Sequence, residues 1–63
     1  MTHIATFNNR ELGIQAVVNL LPSGKYSMQV RDVEDDFVIG IYTTVLYPTR
    51  EQAMAAALAA AAE

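Results

Sequence analysis

Between Lys25 and Val33 the side chains alternate cleanly, with Tyr26, Met28 and Val30 on one side and Lys25, Ser27, Gln29 and Arg31 on the other. A two-residue period of this kind predicts a half-buried strand. The same period runs from Ile14 to Leu21, where Ile14, Ala16, Val18 and Leu20 oppose Gln15, Val17, Asn19 and Leu21. Between the two, Pro22-Ser23-Gly24 supplies a turn, because proline presets one backbone angle and glycine accepts a positive φ. A third strand is expected over Phe37 to Tyr47, rich in β-branched and aromatic residues. There Phe37, Ile39, Ile41 and Val45 should share one face, and Val38, Tyr42 and Leu46 the other. Gly40 in its middle points to a bulge or a close backbone approach. Asp32 to Asp36 reads as the turn before it. A further strand, with weaker alternation, is expected over Thr2 to Asn8, followed by a turn at Asn8-Asn9-Arg10-Glu11.

After Tyr47 the period changes. Thr49-Arg50-Glu51-Gln52 fits a capping box, with Thr49 capping the helix and Gln52 reaching back, and Glu51 suits the positive end of the helix dipole. On a helix from Arg50 to Glu63 the only large apolar residues are Met54 and Leu58. They lie four apart, beside Ala57 and Ala61, and define the side expected to dock on the sheet. Tyr47 is expected to position the start of this helix. Gln52, Ala53, Ala56, Ala59 and Ala60 form the opposite arc, with no charge before Glu63. Surface helices usually carry Lys and Glu on such an arc. Alanine is the best helix former, which explains much of the composition; a smooth alanine surface would also let another helix or sheet approach closely.

Residues 1–63 thus read as one small α+β domain: an antiparallel meander sheet of three to four strands with one C-terminal helix packed on one face, in the order β-β-β-β-α. Short turns between consecutive strands imply the antiparallel arrangement. A chain of 63 residues buries only about 60% of the surface that its unfolded form exposes. Small domains compensate with disulfides, metals or association. Cysteine is absent and His3 is the only histidine, so no disulfide and no zinc-type ligand set can be built. Association, or a well-idealised monomer core, remains.

One helix covers one face of a sheet. If it covers Ile14, Val18, Tyr26, Met28, Ile39 and Ile41, then Val17, Leu21, Val38, Tyr42 and Leu46 point outward. A solvated antiparallel face should be polar there, and a contiguous apolar area usually marks an interface. These five are the candidate partner-binding residues, for a second copy of the chain or for a protein target. An apolar content of 52% and a charged content of 17% exclude intrinsic disorder. The apolar run Ala53 to Ala62 is too short to span a bilayer, and the N-terminus lacks the features of a signal peptide. A cytoplasmic location is the expectation, with no membrane partner.

Candidate chemistry is sparse. Ser23-Gly24-Lys25 lacks the upstream glycine and the following Ser or Thr of a phosphate-binding loop; Asn19 and Tyr26 stand there instead. Asp32, Glu34, Asp35 and Asp36 lack the ligand spacing and sharp glycine of a calcium loop and read as a solvated turn. His3 has no nucleophile or paired acid predictably beside it. A non-enzyme is expected, with no cofactor, metal or small-molecule substrate. Its size suits a phage, plasmid or bacterial accessory protein that dimerises or binds one protein target; a structural fragment of a larger assembly is a blander possibility.

The arrangement GKYSMQVRDVEDDFV…YPTREQAMAAALAAA, from Gly24 to Ala62, is similar in outline to the arm-binding domains of tyrosine recombinases, which pair a three-stranded sheet with a helix. The shared features are a Gly-Lys-aromatic strand, an Arg-Asp turn and a Thr-x-x-x-Ala helix start. The resemblance implies the alternative function, a DNA-binding sheet reading through Lys25, Ser27, Gln29 and Arg31. The chain departs from that outline at Asp35 and Asp36, and no Lys or Arg lies between Phe37 and Tyr47. A net charge of −3 with only four basic residues also opposes it, because phosphate contacts supply most non-specific affinity.

Overall fold

The computed structural model describes residues 1–35 and 37–62. Four strands, β1 (Thr2–Asn9), β2 (Ile14–Leu20), β3 (Tyr26–Glu34) and β4 (Phe37–Tyr47), precede one helix, α1 (Arg50–Ala62). The strands form a single antiparallel sheet in the order β1-β2-β3-β4. This is the expected α+β meander, and its first strand is fully formed. One boundary differs: the turn expected over Asp32 to Asp36 overlaps β3, which runs through Asp32 and Val33, the end of the expected strand, to Glu34, and all three pair with β4. The reversal takes in Asp35, directly after Glu34. Asp35 there has φ 52°, a left-handed angle that Asp tolerates better than most residues; Asp36 lies outside the described residues.

The other two hairpins show their causes locally. At the β2–β3 turn the Gly24 N–H donates to the Leu21 carbonyl at 3.0 Å, and the Leu21 N–H donates to the Lys25 carbonyl at 2.8 Å. Pro22 follows the first turn residue and Gly24 takes φ +88°, as in a type I turn closed by a left-handed glycine. The β1–β2 turn occupies residues 10–13, two residues along from its expected place. Asn9 belongs to β1, and its Oδ1 accepts the Leu12 N–H at 3.1 Å. Gly13 closes the turn at φ +67°, and its carbonyl accepts the Val33 N–H at 2.8 Å.

Strand register assigns the paired side chains to faces, since directly paired residues project to the same side. Toward the helix lie the rows Ala5–Val18–Met28–Val45, Phe7–Ala16–Val30–Thr43 and Thr2–Leu20–Tyr26–Tyr47. Toward solvent lie His3–Asn19–Ser27–Leu46, Thr6–Val17–Gln29–Thr44 and Asn8–Gln15–Arg31–Ile41. The buried core is Ala16, Val18 and Met28 of the sheet with Ala53 and Ala57 of the helix, flanked by Ile4, Phe7, Tyr26, Val30, Tyr47 and Met54.

The helix docks differently from the expectation. Ala53 and Ala57 are fully buried while Leu58 is 54% exposed; Met54, Ala56, Ala60 and Ala61 are half-buried at the margins. Ala53, expected on the solvent arc, is therefore at the centre of the contact. The cause is size. A methyl group lets the helix axis approach the sheet closely, whereas a leucine at the centre would hold it away. Thr49 acts as expected at the start of α1, where its Oγ1 accepts the Gln52 N–H at 3.3 Å. The helix lies over β2 and β3, reaches β1, and touches β4 least.

A candidate interface on the edge strand

As the last strand of a meander, β4 has a neighbour on one side only. Its sequence, FVIGIYTTVLY, contains no charge and no proline. Phe37, Val38, Ile39, Ile41, Tyr42, Val45 and Leu46 are all substantially exposed, Phe37 at 73% and Tyr42 at 66%. The other edge contrasts with it: on β1 the exposed positions Thr2, His3, Thr6 and Asn8 are polar. Edge strands usually carry a lysine, a proline or an inward charge that discourages pairing with another chain. β4 carries none of these.

What β4 does carry is two bulges. Its register against β3 shifts between Val30 and Arg31 and again between Asp32 and Val33, leaving Tyr42 and Ile39 without paired residues. Gly40 sits between the two shifts, in keeping with the bulge expected there. Each extra residue reverses the alternation and bends the strand. Ile41 consequently lies in a solvent-side row and Val45 in a helix-side row, although a plain two-residue period places them together.

The expected patch of Val17, Leu21, Val38, Tyr42 and Leu46 is redistributed by this geometry. Val17 does lie on the solvent face, but it is only 4% exposed, with Thr6 and Gln29 as its paired neighbours. Leu21 is half-buried in the β2–β3 turn. Leu46 projects to the solvent face, and Val38 is paired with Val33 near the start of β4. Tyr42 stands in the first bulge beside Asp32, whose carboxylate accepts its hydrogen bond and adds a nearby negative charge. Both raise the Tyr42 phenol above its ordinary 10.0. Val38, Tyr42 and Leu46 are thus brought onto one edge, while Val17 and Leu21 are not part of an exposed apolar surface.

The rest of the solvent face is a polar surface that satisfies itself. His3 Nε2 and Thr6 Oγ1 are hydrogen-bonded at 2.7 Å, and Gln15 donates to Asn8 Oδ1 at 2.9 Å. Gln29 donates to Thr44 Oγ1 at 3.2 Å, and the Arg31 Nε–H donates to Gln29 Oε1 at 2.6 Å. Ser27, Gln29 and Arg31 therefore share one face on the interior strand β3, but Ser27 is buried and the other two hold each other. Lys25 lies outside β3, exposed in the preceding turn.

Phe37, Ile39, Ile41 and Val45 belong to the candidate surface, although periodicity places them on the covered face. The signal for them was available in another form: an uncharged eleven-residue strand placed last in a meander must be an edge.

A polar depression lies where the β1–β2 turn meets β3, lined by Asn8, Arg10, Gln15 and Asp35 among others. It offers one carboxylate and one guanidinium but no nucleophile. Among the described residues no group of three or more His, Cys, Asp or Glu side chains could hold a metal ion, and no helix is long and apolar enough to cross a membrane. Comparison of the chain with protein-family models, with curated proteins and with solved structures finds no match.

Proposed function

We propose that this protein is a small, non-enzymatic interaction module of the cytoplasm that engages another polypeptide through the edge of β4. The observation that carries this reading is the uncharged, apolar, unpaired β4 edge. A partner strand added there would gain main-chain hydrogen bonds and cover the side chains on either side of the edge. Burial of exposed apolar area stabilises at about 25 cal/mol per Å², so residues such as Phe37, Ile41 and Leu46 supply the driving force.

Nucleic-acid binding through Lys25, Ser27, Gln29 and Arg31 is the weaker reading. Arg31 Nε–H and Gln29 Oε1 are engaged with each other, and the acidic residues Glu34 and Asp35 lie at the end of the same hairpin.

The test compares the native chain with Ile41→Lys/Leu46→Lys, in which both substituted positions are exposed and the core is untouched. Sedimentation velocity reads self-association, and affinity capture from host lysate reads hetero-association. The reading expects association of either type by the native chain and its loss in the variant. A native chain that stays monomeric and captures nothing in a β4-dependent manner would overturn it.

A further inference from the structure

We draw no further inference here: the strongest candidate, the exposed apolar edge of β4, carries nothing beyond the reading above because nothing in the structure shows what covers it.

Discussion

Asn9 donates its side-chain amide to the Ala61 carbonyl oxygen at 2.7 Å, tying the end of β1 to the last turn of α1 across 52 positions of sequence. The last carbonyls of a helix have no partner within it, and α1 has no basic residue in its final turn to offset them. The same side chain accepts the Leu12 N–H through Oδ1. One asparagine therefore holds both the first hairpin and the end of the helix.

Replacing it by alanine removes both bonds. Asn9→Ala should cost about 1–3 kcal/mol, at about 0.5–1.5 kcal/mol for each net hydrogen bond, measured by urea unfolding with an unchanged m-value. Asn9→Asp keeps the acceptor for Leu12 but sets a negative charge at the negative end of the helix dipole. Its stability deficit should grow as pH rises through the carboxylate range; a deficit independent of pH would contradict this role.

The alanine stripe makes the second prediction. Ala57→Leu should destabilise by about 1–3 kcal/mol, because extra volume must enter a closed helix–sheet contact. Leu58→Ala, at a 54% exposed position, should cost less than about 1 kcal/mol. Sequence periodicity alone gives the opposite ranking, so unfolding midpoints of the two variants decide between the two dockings.

Two glycines provide a matched pair. Gly13 and Gly24 both have positive φ, but a Cβ on Gly13 would lie 3.1 Å from the Val33 carbonyl oxygen, whereas one on Gly24 meets nothing within 4 Å. Each alanine substitution should cost about 1–2 kcal/mol for the left-handed backbone. Gly13→Ala should cost more than Gly24→Ala, because its methyl also crowds the Val33 carbonyl oxygen. Equal losses in thermal unfolding would show that the contact relaxes without cost.

Tyr42 and Asp32 make the fourth. Because the Asp32 carboxylate raises the Tyr42 phenol above 10.0, the folded state favours the neutral phenol more than the unfolded chain does. That contribution is fully present below the ordinary tyrosine value and is lost as pH rises through the raised one. In alkaline titration followed by ultraviolet absorbance, Asp32→Asn should move the Tyr42 component to lower pH. An unshifted curve would remove the Asp32 effect.

The two-residue alternation in β2 and β3, the proline and glycine of their turn, and the Thr49 cap are local, and each operates in the structure where the chain places it. Asn9 was legible only as a turn residue, because its helix partner lies 52 positions away. The candidate surface was half legible. Val38, Tyr42 and Leu46 lie on the edge strand, but Val17, outward-facing as the alternation implies, is nearly sealed on the polar face.

Element order and the meander follow from the chain alone, because hydrophobic period, turn chemistry and helix capping act over a few residues. Which side of α1 meets the sheet is set by packing, since that depends on how closely two backbones can approach, and Ala53 and Ala57 allow what Leu58 would prevent. The tertiary structure also sets the faces of β4. Two inserted residues, Tyr42 and Ile39, shift its pairing with β3, and a shift in pairing is a property of two strands that neither carries alone.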